Sequence, residues 1–86
     1  MTNTDESKIL IVDDDGAIRN WIARQLTQEG YVTLTASSGI EAIQFMKSSH
    51  ISLVILDVMM NGMDGVETCR RIRQFSHVPI LMLSAK

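Results

Sequence analysis

The sequence has few of the residues that cross-link, stiffen or anchor a chain. A single cysteine, Cys69, excludes an internal disulfide and fits a reducing cytoplasm. Only one proline and two phenylalanines occur in 86 residues, so the core must consist of aliphatic side chains and methionine. No apolar run approaches the roughly 18 residues of a membrane span. The net charge is −2 and no run of Lys or Arg occurs, so we expect no nucleic-acid-binding surface in this segment.

The bulk composition is that of one small globular domain. Apolar residues make up 45% and charged residues 21%, values that exclude a disordered chain. Residues 1–7 are polar and acidic, unlike a signal peptide, and we expect them to form a flexible tail. The domain is then predicted to occupy residues 8–86.

Strand and helix signals alternate along residues 8–86. Apolar segments predict strands at 8–12, 31–36, 51–57 and 79–84. The first, third and fourth lack alternation, which is typical of buried parallel strands, whereas 31–36 alternates and is expected at an edge. Apolar residues at helical spacing between the strands predict three core-facing stripes: Ile18, Trp21, Ile22 and Leu26; Ile40, Ile43 and Met46; Val66, Cys69 and Ile72.

The ends of the helices are also marked in the sequence. Asp15, Ser38 and Asp64 are predicted N-caps, with Glu41 completing a capping box, and Gly30 is expected to end the first helix. A β-α-β-α-β-α-β order requires a parallel sheet with helices on both faces. We therefore predict a flavodoxin-like, doubly wound α/β fold with strand order 2-1-3-4.

Polar side chains follow the buried strands. Asp13 and Asp14 come after the first strand, Asp57 ends the third and Ser84 ends the fourth, so that all four should meet at one sheet edge. Clustered carboxylates need a cation, and a few oxygen ligands with room for water suit Mg²⁺. Helix capping is the alternative for the aspartates after the first strand, although it leaves Asp57 unexplained. The two glycine-rich phosphate-binding motifs, G-x-G-x-x-G and G-x-x-x-x-G-K-[ST], are both absent from the sequence, which excludes nucleotide binding through either of them.

Three separated motifs carry a family resemblance. They are Asp13-Asp14 after the apolar run 9–12, the segment 56–65 around Asp57, and the segment 78–85 that contains Ser84. Together they resemble the receiver domain of two-component response regulators (the CheY-like fold), in particular receivers that precede a winged-helix DNA-binding domain. The resemblance implies a sensor histidine kinase as partner and a transcriptional output through a domain outside this segment.

The resemblance also implies roles for individual residues. Asp57 would accept a phosphoryl group from a phosphohistidine, and Ser84 would be the switch hydroxyl that bonds it. Asp14 and Asp57 would bind Mg²⁺ directly, Asp13 through water, and Met59 through its main-chain carbonyl. The chain would not be a conventional enzyme but would catalyse its own aspartyl phosphorylation and dephosphorylation.

The sequence departs from the family pattern at two points. Asn61 stands where the family usually has proline, for which we expect a slightly looser loop. The sequence contains four predicted strands. On this resemblance a fifth strand, two helices and the phosphate-pairing lysine are missing, and Lys86 is not that lysine.

These departures leave an alternative function open. The chain would then be a truncated, non-phosphorylatable interaction module that self-associates through strand 79–84 or by swapping elements. An aspartyl phosphohydrolase is disfavoured, because Met59 stands where that class needs a second aspartate.

Overall fold

The computed structural model of the protein describes residues 6–83, in which strands and helices alternate. In chain order the elements are β1 (Lys8–Val12), α1 (Gly16–Gln28), β2 (Thr33–Ala36), α2 (Gly39–Ser48), β3 (Ile51–Asp57), α3 (Gly65–Arg73) and β4 (Ile80–Leu83). The α/β class is confirmed, and β1 and β3 have the predicted bounds. Of the predicted tail, the described Glu6 and Ser7 are exposed and precede β1. Within residues 6–83, no helix is long and apolar enough to cross a membrane.

The strands form a parallel sheet in the predicted order β2-β1-β3-β4. Leu10 on β1 is aligned with Leu34 on one side and with Val54 on the other, so β1 lies inside the sheet. The unalternating apolar character of β1 and β3 follows from this position, because helices cover both faces of the inner strands. The carboxyl ends of β1, β3 and β4 consequently meet at one edge.

Alternate residues of the inner strands supply two cores on opposite faces of the sheet. The larger core joins strand residues such as Leu10 and Leu56 to Ala42 of α2 and Ile72 of α3. The smaller core contains Ile9, Ile11 and Ile55, against which α1 packs through Ile22, Ala23 and Leu26. Two helices on one face and α1 on the other therefore fix the sheet.

Local hydrogen bonds begin each helix where the sequence predicts. Asp15 caps α1 by accepting from the amides of Ala17 and Ile18, and Asp64 caps α3 by accepting from the amide of Glu67 at 2.9 Å. Past the end of α1, Gly30 has φ 97°, the left-handed conformation that glycine adopts without steric cost.

The capping box at the start of α2 differs from the prediction in one bond. Ser38 Oγ accepts from the Glu41 amide at 3.1 Å, as expected. Glu41 Oε1, however, accepts from the amide of Ser37 at 2.8 Å, one residue before the cap. The cap therefore extends to Ser37, the residue directly after β2.

The apolar stripes predicted for the three helices include residues that the structure leaves exposed. Four residues expected in the core have exposed fractions between 47% and 60%: Ile18, Trp21, Ile40 and Val66. On α3 the predicted Ile72 is fully buried, and so is Thr68, which was not predicted. The Thr68 hydroxyl donates to the Asp64 carbonyl at 2.8 Å, which satisfies its hydrogen bond and permits a polar residue to face the core.

Candidate functional site

Three carboxylates meet at the carboxyl edge of the sheet. Asp13 and Asp14 follow β1, and Asp57 ends the adjacent strand β3. One oxygen from each lies within 4.8 Å of the others. Asp13 is buried, Asp57 is half-buried and Asp14 is exposed, so the group forms a shallow site that is open on one side.

Two of the carboxylates are oriented by amides of their own loops. Asp13 Oδ1 accepts from the amide of Asp15 at 2.9 Å. Asp57 Oδ1 accepts from the amide of Met59 at 3.3 Å. Both bonds span two residues, a local turn that aspartate forms readily, and each restricts the carboxylate before any ligand arrives.

The third carboxylate is oriented from the other loop. Asp14 Oδ2 accepts from the amide of Asn61 at 2.9 Å, across 47 residues of chain. Asn61 is followed by Gly62, whose φ of 74° turns the loop, and is preceded by Met60, which is buried in the larger core. The bond ties the loop after β1 to the loop after β3. The looser loop expected at Asn61 is thus anchored at this point.

Arg19 holds the backbone of the site. Its Nη1 donates to the carbonyl of Asp13 at 2.7 Å, and its side chain is half-buried. Arg19 is not part of the apolar stripe predicted for α1. Because it lies in the first turns of that helix, its long side chain can instead reach back to the end of β1.

Gly65 lets α3 start against the end of β3. A Cβ at this position would overlap the carbonyl oxygen of Asp57 and would lie 2.8 Å from the Cα of Val58. The Gly65 amide donates to the Val58 carbonyl at 2.9 Å. The backbone that carries Asp57 is therefore packed directly against the first residue of α3.

The site carries unbalanced negative charge. Burial, and next the Asp57 and Asp14 carboxylates, raise the pKa of Asp13, while the Asp15 amide opposes the rise. Among residues 6–83, the Lys and Arg side chains form no ion pair with these three carboxylates; Arg70 and Arg71 pair with Glu67 on α3.

The donor set fits a hard divalent cation. The side-chain ligands are oxygens, and a cleft of about 340 Å³ beside Asp14 leaves room for water. Mg²⁺ retains several waters and takes only one or two carboxylates, whereas Ca²⁺ needs more oxygen ligands. The residues present therefore suit Mg²⁺.

The other predicted site residues have different positions. Met59 lies in the loop after Asp57 with its side chain 66% exposed, and the use of its carbonyl as a ligand stays a prediction. Ser84 and Lys86 lie outside the described residues. The contributions of Arg19, the Asn61 amide and Gly65 were missed, because none of them has a signature in local sequence patterns.

Comparison with known proteins identifies the family. The sequence model of the response regulator receiver domain matches residues 9–86. The chain belongs to the response regulator receiver domain family.

Curated relatives of this receiver are transcriptional regulators. The regulatory protein ResD of Bacillus subtilis is 44% identical over 86 residues, which are 100% of this chain and 36% of ResD. The probable transcriptional regulator ycf27 of Porphyra purpurea is 47% identical over 80 residues, 93% of this chain and 33% of that protein. The receiver chain thus spans about a third of the length of these relatives.

Solved receiver structures share the fold. The response regulator TrrA of Thermotoga maritima, crystallised in complex with Mg(2+)-BeF, superposes with a TM-score of 0.87 at 38% identity. The match covers 93% of this chain and 70% of TrrA.

Proposed function

We propose that this receiver accepts a phosphoryl group on Asp57 from a phosphohistidine of a sensor histidine kinase, in a Mg²⁺-dependent reaction. The observation that carries the proposal is the position of Asp57. It ends an inner strand, is half-buried, and has Asp13 and Asp14 within 4.8 Å. A carboxylate so placed can be reached by a donor and is accompanied by ligands for a cation.

The transfer is a nucleophilic substitution at phosphorus. An oxygen of Asp57 forms the new P–O bond while the P–N bond to the donor imidazole breaks, and the bonding electron pair returns to the ring nitrogen. The Met59 amide holds the Asp57 carboxylate in one orientation, which reduces the entropy lost on reaching the transition state. The Ser84 hydroxyl, outside the described residues, then bonds a phosphoryl oxygen.

Asp14 and Asp57, with the Met59 carbonyl, would bind Mg²⁺ directly, and Asp13 would hold it through water. When bound, the ion neutralises charge on the transferred phosphoryl oxygens, the main requirement of this chemistry. Burial and, to a lesser extent, the Asp57 and Asp14 carboxylates raise the pKa of Asp13, and a divalent cation would stabilise its ionised form. TrrA, the relative crystallised with Mg(2+)-BeF, supports the choice of cation by similarity.

Phosphorylation by a small-molecule donor tests the proposal. Mass spectrometry after incubation with acetyl phosphate and Mg²⁺ should find one added phosphoryl group. Asp57→Asn should abolish the label, and chelation of Mg²⁺ should prevent it. Asp15→Asn is the matched control, since Asp15 caps α1 beside the cluster and should leave labelling intact. Undiminished labelling of the Asp57→Asn chain would refute the assignment.

The biological setting is also a proposal. We infer one receiver unit over residues 8–86, after a tail of residues 1–7, that acts in the cytoplasm and controls transcription. The transcriptional role is supported by relatives that are transcriptional regulators about three times as long as the matched segment. Any contact with DNA belongs to parts of such proteins beyond this segment.

A second candidate, self-association without phosphorylation, is favoured by β4. Within residues 6–83 this strand pairs with β3 on one side, and its Leu81 is 52% exposed. A strand with open backbone groups can pair with a second copy. Light scattering after size exclusion should then give a dimer that takes no label from acetyl phosphate. A monomer that becomes labelled would exclude this alternative.

A further inference from the structure

The hydrogen bond between Asn61 and Asp14 differs in kind from the others at the site. Asp13 and Asp57 are each held by an amide two residues further along their own loops. Asp14 is held by an amide of the opposite loop, at 2.9 Å. The relative position of the two loops and the orientation of Asp14 are therefore coupled.

The amide that donates this bond is itself held in place. Met60, which contributes the carbonyl half of that peptide group, is 9% exposed and belongs to the larger core. Gly62 on the other side has φ 74°, which closes the turn. The peptide group between Met60 and Asn61 is thus fixed by packing, although the Asn61 side chain is exposed.

Asp14 faces the cluster against electrostatic repulsion. Its carboxylate is exposed, and the negative charges of Asp13 and Asp57 repel it. A hydrogen bond from a neutral amide to a carboxylate is stronger than one between neutral groups and offsets part of that repulsion. Because it engages Oδ2, the other oxygen of Asp14 stays available to a cation.

We propose that the backbone amide of Asn61 is a positioning donor that preassembles Asp14 for Mg²⁺ binding. The inference rests on the magnesium site of the proposed function and adds a residue to it. Proline at position 61 could not supply the bond, since it has no backbone N–H. Alanine at position 61 would keep the donor and lose only the side chain.

Calorimetric Mg²⁺ titration of the two variants tests the proposal. Asn61→Pro should bind Mg²⁺ about tenfold more weakly, the lower end of the range for lost partners of metal ligands. Asn61→Ala should bind like the unaltered chain. The turn should tolerate proline, because position 61 precedes a glycine with positive φ, as in type II turns. Equal affinities of the two variants would overturn the inference while leaving the magnesium site intact.

Amide hydrogen exchange supplies a test that needs neither the proline variant nor the metal. In the metal-free chain, the Asn61 amide should exchange slowly and should lose that protection in Asp14→Ala. Unchanged exchange in Asp14→Ala would overturn the inference even if Mg²⁺ binds. If the unaltered chain bound no Mg²⁺, the proposed metal site and this inference would both be wrong.

Discussion

Replacing Asp13 with asparagine should stabilise the metal-free protein. The asparagine Oδ1 can still accept from the Asp15 amide, so the substitution removes a charge and keeps the hydrogen bond. Asp13 is also the buried member of the cluster, at 4% exposure, which makes its charge the most costly of the three.

The magnitude follows from the distances. Two unit charges at the 4.8 Å limit of the cluster repel by about 0.9 kcal/mol at the dielectric constant of water and by about 3.5 kcal/mol at an effective value of about 20. Asp14 is exposed and Asp57 is half-buried, so each repulsion energy should lie near the lower of these two values. Removing both repulsions should raise the free energy of unfolding by about 2 kcal/mol. For a domain of this size, that corresponds to an increase in Tm of about 8–16 °C.

The effect should depend on pH in a defined direction. The pKa of Asp13 is raised in the folded state above its ordinary value of 3.8. Between these two pKa values the folded state binds more protons than the unfolded state, so the free energy of unfolding falls as pH rises. The advantage of Asp13→Asn should therefore be full above the folded-state pKa and should shrink as pH falls towards 3.8.

Urea denaturation in Mg²⁺-free buffer, at neutral and at acidic pH, measures both effects. Asp15→Asn is the control: it changes net charge equally, and asparagine is as good an N-cap as aspartate. We expect that control to be unchanged or slightly less stable. An Asp13→Asn chain no more stable than the original at neutral pH would refute the argument.

Three further predictions concern the metal and the packing around the site. Mg²⁺ at one hundred times its Kd should stabilise the unaltered chain by about 2.7 kcal/mol. The same Mg²⁺ concentration should stabilise the Asp13→Asn chain less, and thermal melting measures both effects. Gly65→Ala should destabilise the fold by about 1–3 kcal/mol and reduce acetyl phosphate labelling, since a methyl group would push on the backbone of the acceptor. Gly16→Ala, which meets only the flexible end of a side chain, should do neither. Ile72→Ala should cost about 2–5 kcal/mol in urea denaturation because the side chain is fully buried. Val66→Ala, at a position 54% exposed, should change the free energy of unfolding by no more than about 0.5 kcal/mol. Similar losses for Ile72→Ala and Val66→Ala would contradict the finding that α3 packs on the sheet through Ile72 and not through Val66.

Much of the fold could be predicted because its signals are local. The unalternating runs of β1 and β3 indicate strands covered on both faces, and Asp15 and Asp64 mark helix starts by bonding amides within three residues. Carboxylates at the ends of two apolar runs were enough to predict an acidic cluster, because parallel strands bring their carboxyl ends to one edge.

The burial of particular helix positions was decided by the tertiary structure. Periodicity gives the spacing of an apolar stripe but not the arc of the helix that reaches the sheet. Val66 and Thr68 illustrate this on α3: the apolar residue is exposed, and the threonine is buried with its hydroxyl bonded to a carbonyl of the preceding turn. Hydrophobicity alone favours the opposite arrangement.

By itself, the sequence determined the order of elements and the acidic edge at Asp13, Asp14 and Asp57, since these depend on patterns read over a few residues. The strand order was predicted from the doubly wound fold class. Only the tertiary structure decided how those carboxylates are held. The Arg19 contact to a carbonyl, the packing of Gly65 on Asp57 and the Asn61 amide on Asp14 all involve backbone atoms. Every residue except proline has the same backbone donor and acceptor, so these contacts leave no mark in the sequence. The meeting of the Asn61 amide with Asp14 across 47 positions follows from how the strands and helices pack.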